Sequence, residues 1–327
     1  MIMKERNCSL DMVCGILVIN MILLHTYSAV NISDAFLCSI QNRAICFFMP
    51  WFFFKSGMYY RIEPSSKSLA SNCAIKYLKP FVLYAFLGEI VWIIKDLILG
   101  NECNLRTIFV DLLHIPYKGS LPGNAPLWFL ITLFLVRILV NYLNNYVCEK
   151  QLLLIFLFLS LIFHLLMGNY QYIPWWVGNT CLGGFFFLCG SSLKNIQYHN
   201  SLFFLSSLSY FMLIFLYPSV VGFWNLSVIY GNWFVWFLIS LSGIILFNNI
   251  FKRYSFLYVK WILAVGRNSM PYYCFHWIIL IIMNVLFEIY GCEDRMIQLI
   301  LDIIALLIIL PAYTYLISQL REQKMQR

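Results

Sequence analysis

The chain has 327 residues, of which 62% are hydrophobic, 18% aromatic and only 11% charged. Soluble domains carry about 25% charged and about 45–50% apolar residues, so the composition excludes a soluble globule, a disordered chain, a collagen-like repeat and a disulfide-rich secreted scaffold. The net charge of +8 comes from 22 Lys and Arg against 14 Asp and Glu; it calls for no nucleic-acid partner once the basic residues are placed by membrane topology. The remaining class is an all-α, polytopic integral membrane protein whose partner is the lipid bilayer.

At about 20 apolar residues per span, the chain holds about ten transmembrane helices. In chain order the apolar segments are 10–29, 38–60, 77–99, 125–146, 151–168, 175–193, 202–220, 229–251, 269–289 and 296–317. None alternates with the period of two that a barrel strand needs. With the N-terminus cytoplasmic, ten spans return the C-terminus to the same side. Arg106, Lys118 and Arg295 then fall in outer loops, Arg43, Lys55, Lys95 and Arg137 within spans, and the other 15 of the 22 basic residues inside. That asymmetry follows the positive-inside rule.

Lys4 and Arg6 precede the first apolar run as in a signal peptide, but Asp11 and Asn20 interrupt it and no small-residue cleavage site follows His25. It reads as an uncleaved first span. The longest outer loop, about 100–124, is expected to hold an interfacial helix. With no linker or internal repeat, residues 1–327 read as one domain. The 11 cysteines are odd in number and show no CxxC spacing. Those in apolar runs (Cys38, Cys46, Cys148, Cys181, Cys189, Cys274) read as buried small hydrophobes, and no metal is expected.

A charge at the bilayer centre costs about 2.5–3.5 kcal/mol and marks function by default. His25, Arg43, Lys55, Glu89, Arg137, His164, His276 and Asp302 all lie within spans. On the first helix Asp11, Cys14, Val18 and His25 share one side, and the 11 residues from Cys14 to His25 rise roughly 16 Å. An imidazole titrates near neutral pH and suits general-base work; the alternative is a histidine satisfied by a neighbouring helix. In "FFMPWFFFKSGMYYR" the aromatics read as lipid-facing and packing surface. Lys55 either snorkels, pairs with Asp11 or Glu89, or holds a phosphate, beside Ser56 and a Gly57 that permits close helix approach.

In "GRNSMPYYCFHW" Asn268 or Ser269 is placed to cap a helix with Pro271 in its first turn. Ser269, Tyr272 or Tyr273, and His276 recur on one face; the plain alternative is a capped helix with an interior histidine. Glu89 and Asp302 read as partners for buried cations or hydroxyls. Signatures of nucleotide hydrolysis, GxSxG serine hydrolases and HExxH metalloproteases are absent.

Four stretches together, "R…LDMVCGILVINMILLH", "MPWFFFKSG", "PLWFL" and "GRNSMPYYCFH", resemble the acyltransferase 3 family in order and spacing over nearly the whole chain. These are multi-pass enzymes that O-acylate sugars and other small acceptors at the bacterial envelope. The resemblance implies a stand-alone member in the bacterial plasma membrane. It implies a cytoplasmic acyl-CoA co-substrate, with acetyl-CoA the expected form, a sugar or envelope-glycan hydroxyl as acceptor, and no metal. His25 matches the family's essential histidine and Asp11 its acidic position. Cys14 stands where the family often has Arg or Lys, and a thiol cannot replace a guanidinium. In the mechanism so implied, His25 is the general base. Asn268, Ser269 and Tyr272 are candidate oxyanion donors, with His276, Lys55, Ser56 and Glu89 around them. Arg61, Lys76, Lys79 and Arg267 are candidates for the CoA phosphates. An envelope lipid or glycan transporter, and a catalytically inactive member motivated by Cys14, are the competing readings; no repeat between the two halves supports the transporter.

Overall fold

The computed structural model describes residues 7–32, 41, 43–101, 105–167, 174–194, 200–217, 223–225, 228–229 and 232–326. Helix α1 (Cys8–Ala29) starts at Asn7, whose side-chain oxygen accepts the Leu10 backbone N–H at 3.3 Å. Asp11 in its first turn complements the helix dipole. The chain continues through α2 (Phe48–Met58), α3 (Ser66–Cys73), a π-helical stretch Ala74–Leu78, α4 (Lys79–Ile98) and α5 (Leu105–Lys118). A 3₁₀ segment, Pro122–Leu127, leads into α6 (Trp128–Leu143), α7 (Glu149–Met167), α8 (Trp175–Leu193) and α9 (Asn200–Leu216). A short antiparallel hairpin, β1 (Phe223–Asn225) and β2 (Val228–Ile229), precedes α10 (Trp233–Arg253). A 3₁₀ turn, Ser255–Leu257, then α11 (Lys260–Arg267), α12 (Ser269–Ile289) and α13 (Arg295–Gln326) complete the chain.

Among the described residues six stretches are long and apolar enough to cross a membrane: Cys8–Ala29, Phe109–Leu143, Glu149–Leu166, Trp233–Arg253, Ser269–Ile289 and Arg295–Leu320. The second is interrupted by the 3₁₀ segment before α6. The expected segments 77–99 and 175–193 are also helical, as α4 and α8. They fall short of the six because α4 carries Lys79, Glu89, Lys95 and Asp96, and α8 intersperses Gly, Asn, Thr and Ser among its aromatics. Large apolar side chains lie exposed on α4 (Val82, Phe86, Leu97), α9 (Phe204, Phe215) and α13 (Leu307, Ile308). Such a surface needs lipid rather than water, and the chain is a multi-pass membrane protein. The helix expected within 100–124 is α5.

The core lies around α1, which is buried on nearly every side and packs against α10, α11 and α12. A second packed unit joins α2, α7 and α8. Of the lipid-facing and packing surface expected of the aromatic run in α2, Trp51, Phe53 and Phe54 belong to the packing: all three are buried, Phe53 and Phe54 against α8. The Trp51 indole also donates to Asn248 Oδ1 of α10 at 2.9 Å. Cys46, Cys181, Cys189 and Cys274 are buried as expected, whereas Cys148 is exposed because it sits in the turn before α7. Cys38 lies outside the described residues.

The 3₁₀ segment is the brace that fixes α12. Asn124, with no exposed surface, donates its amide to the Cys274 carbonyl at 2.9 Å and to the Tyr84 carbonyl at 3.4 Å. The Tyr273 hydroxyl donates to the Pro126 carbonyl. Asn124 and Pro126 of the 3₁₀ segment thus tie α4 and α12 to one loop. Replacing Asn124 with Ala removes both side-chain hydrogen bonds; the two carbonyls keep the backbone N–H of their own helices, so each lost bond costs about 0.5–1.5 kcal/mol. The expected result is a fall of several degrees in the unfolding midpoint in detergent; an unchanged midpoint would show that the brace contributes nothing.

Candidate functional site

Helices α1 and α12 bring two histidines together. His25 Nδ1 lies 2.9 Å from His276 Nε2, across 251 residues of sequence, and the ring centroids are 5.0 Å apart at 38°. His276 has no exposed surface. Its Nδ1 lies 2.8 Å from the Tyr273 carbonyl and 3.2 Å from the Tyr272 carbonyl, in the preceding turn of its own helix. His25 keeps part of its surface accessible, and its Nε2 has no hydrogen-bond partner among the described residues. The pair therefore has a fixed, buried end and an open end.

Trp277, the next residue on α12, stands edge-on to His25, with centroids 5.2 Å apart and planes at 84°. Its indole N–H is buried and has no acceptor among the described residues. A buried Trp N–H normally finds a partner, and here none of the described residues supplies one.

The other candidates divide into separate groups. Asp11 lies 14 residues before His25 on a continuous helix, about 21 Å along the axis, so the two do not share a cluster. Asp11 instead faces Arg267 at the end of α11, its Oδ2 lying 3.6 Å from the guanidinium Nε. Arg267 also donates to Cys8 Sγ at 3.6 Å. Cys14 is buried one turn further along. Asn268 does not cap α12; it donates to the Ala264 carbonyl at 3.0 Å and so closes α11 instead. Ser269 begins α12, seven residues or about 10 Å below His276 along the helix. Tyr272 lies on the next turn and serves the pair through its carbonyl, while its phenol faces Thr314 of α13.

Lys55 meets neither Asp11 nor Glu89; its ammonium lies 5.3 Å from the Trp51 ring centroid. Ser56 is half-buried beside it. Among the described residues Glu89 meets no cation: one oxygen accepts the Gly123 backbone N–H at 3.4 Å and the other is buried without a hydrogen bond. Asp302 is fully buried with neither oxygen hydrogen-bonded, so the expected cation or hydroxyl is not beside it among the described residues. Arg61, Lys76 and Lys79 are exposed around the connection from α2 to α4. His199 lies outside the described residues. Among the described residues no three His, Cys, Asp or Glu side chains assemble as metal ligands.

A family model described as an acyltransferase domain matches residues 8–318, a span that includes both histidines, Trp277 and Arg267. Neither the curated proteins nor the solved structures searched contain a match.

Proposed function

The chain belongs to the acyltransferase 3 family, and from that premise we propose that it moves an acetyl group from acetyl-CoA to a hydroxyl of a sugar or cell-envelope glycan, with His25 as general base. In this reading it spans the bacterial plasma membrane about ten times, with both termini in the cytoplasm. The observation that carries the proposal is the open Nε2 of His25, set on a ring whose other nitrogen is engaged. His25 Nε2 takes the proton of the acceptor hydroxyl as its oxygen attacks the thioester carbonyl. The tetrahedral adduct collapses with breakage of the carbon–sulfur bond, and His25 returns the proton to the departing thiolate. No group other than acceptor and donor is consumed.

The developing oxyanion needs fixed donors, and the unpartnered indole N–H of Trp277 beside His25 fits that need better than Asn268 or Ser269, which start the helix about 10 Å away. The Trp277→Phe variant keeps the aromatic edge and removes the N–H. One oxyanion donor is worth about 10²–10³-fold in turnover, so a loss of about 10²-fold is expected. Turnover equal to wild type would remove Trp277 from that role.

Arg267, at the end of α11 beside the first turn of α1, and Arg61, Lys76 and Lys79 of the α2–α4 connection suit the CoA phosphates. Arg267, oriented by Asp11, supplies a guanidinium near the turn where Cys14 lacks one. Purified protein should therefore unfold at a higher midpoint as acetyl-CoA rises, by about 2.7 kcal/mol at a hundredfold excess over Kd, and less with the desphospho analogue. Replacing Arg267 with Ala should raise the concentration needed by about tenfold, equivalent to about 1.4 kcal/mol. An identical titration in the variant would remove Arg267 from donor binding.

The reaction itself is tested in membranes that contain the protein, supplied with acetyl-CoA labelled in the acetyl group. An oxygen ester is cleaved by mild alkali, so the expected result is alkali-labile label in the glycan fraction. Label no higher than in membranes without the protein would overturn the proposal.

A further inference from the structure

We infer that His276 is a positioning residue that fixes the tautomer of His25, and so keeps the basic lone pair of His25 on the open Nε2. The inference rests on the general-base reading above and adds what makes it work. His276 Nδ1 sits 2.8 Å from one backbone carbonyl and 3.2 Å from another. A carbonyl oxygen only accepts, so a lone pair at this position would face two lone-pair-bearing oxygens, and Nδ1 carries the proton. In the neutral ring His276 Nε2 is then a bare acceptor. It lies 2.9 Å from His25 Nδ1, which must be the N–H donor of that contact. The proton of neutral His25 is thereby assigned to Nδ1, and Nε2 is left as the lone pair.

The chain of assignments starts from the backbone. The carbonyls of Tyr272 and Tyr273 belong to the helix that carries His276, at spacings of four and three, and their own positions are held by the Asn124 and Tyr273 contacts to the brace. A free imidazole exchanges its tautomers readily; here the wrong one would leave two acceptors facing each other within a buried contact. When His25 takes a proton at Nε2, its Nδ1–H still points at His276 Nε2. The positive charge is then stabilised by an oriented acceptor, and no carboxylate is needed there. This explains how a histidine base operates while Asp11 stands about 21 Å away along α1. The arrangement does for His25 what the buried acid does for the histidine of a serine-protease triad, with a neutral ring in the place of the anion.

The test reads the tautomer directly. Protein labelled with ¹⁵N-histidine, in detergent or lipid, is studied by imidazole nitrogen NMR, with His25→Ala and His276→Phe assigning the signals. The expected spectrum has His25 Nδ1 protonated and Nε2 bare. In the His276→Phe variant His25 becomes a mixture of tautomers, turnover falls about 10²-fold and KM for acetyl-CoA is unchanged. His276→Gln restores at least tenfold of the loss, because its Oε1 accepts from the same N–H. A wild-type spectrum with the proton on His25 Nε2 overturns the inference even if His276→Phe does not fold, because the signal lost in His25→Ala alone assigns His25, and so does His276→Phe at wild-type turnover. The base reading fails separately: if His25→Ala is fully active, His25 is not the base, whatever its tautomer.

Discussion

Replacing His25 with Ala should lower acyl transfer by about 10²–10⁴-fold, the contribution of a positioned general base, or about 2.7–5.4 kcal/mol in activation free energy. The stabilising shift given by acetyl-CoA should be unchanged. Arg267 and Asp11 lie at the opposite end of α1, about 21 Å along the axis from position 25, and truncating one ring leaves them where they are. The split between the two readouts is what identifies the role. Loss of both transfer and donor binding would mean that the substitution disturbed α1 as a whole. Full transfer by the variant would mean that His25 is not the base, and no transfer by either protein would return the inactive-member reading that Cys14 suggested. Movement of glycan across the membrane without acyl-CoA would favour a transporter. His25 lies against His276 and Trp277 rather than in the packing of α1 on α11, so its truncation should leave the fold intact.

What was legible in the sequence follows the range of the interactions. Helix positions were readable because each apolar run reports its own burial, and α1, α7, α10 and α12 lie close to their expected segments. His25 and His276 each stood out, since an ionisable group in an apolar run needs an explanation. Their pairing did not, because it joins residues 251 apart and depends on how α12 sits against α1. Arg267 with Asp11 is hidden in the same way, and the helical spacing that set Asp11 and His25 on one side also sets them far apart along the axis. Trp277 is one aromatic among many in the sequence, although it directly follows His276 and carries an N–H that an apolar helix cannot satisfy. Asn124 offered a similar signal, a lone amide between Gly123 and the "PLWFL" stretch. The fate of Lys55 was unreadable: whether it meets a carboxylate or a tryptophan face is decided by helix packing, and it rests on Trp51.

The second large effect is expected at the crossing of α2 and α8, where the two helices meet backbone to backbone. A Cβ on Gly190 would lie 1.9 Å from the Phe54 carbonyl oxygen, and a Cβ on Gly57 would lie 1.8 Å from the Phe187 carbonyl oxygen. The obstacles are backbone atoms, which cannot rotate aside as a side chain would. Two effects of Gly190→Ala oppose each other. Helix propensity favours Ala over Gly by about 0.8–1.0 kcal/mol. The clash forces the helices apart, and overpacking a fitted interface costs about 1–3 kcal/mol, occasionally more. Separation here also uncovers Phe53, Phe54 and Phe187, all of them buried at the crossing, so the packing loss wins. The expected outcome is a lower unfolding midpoint and a smaller monodisperse fraction in detergent for Gly190→Ala, and a larger loss for Gly190→Val. Gly100→Ala is the control: its Cβ meets nothing within 4 Å and the cost is only that of a left-handed φ of +72°. A midpoint for Gly190→Ala at or above wild type would mean that propensity prevails and that α2 and α8 do not touch through their backbones. A fall well beyond that of Gly100→Ala would establish that small residues, rather than the surrounding aromatics, set the distance between these helices.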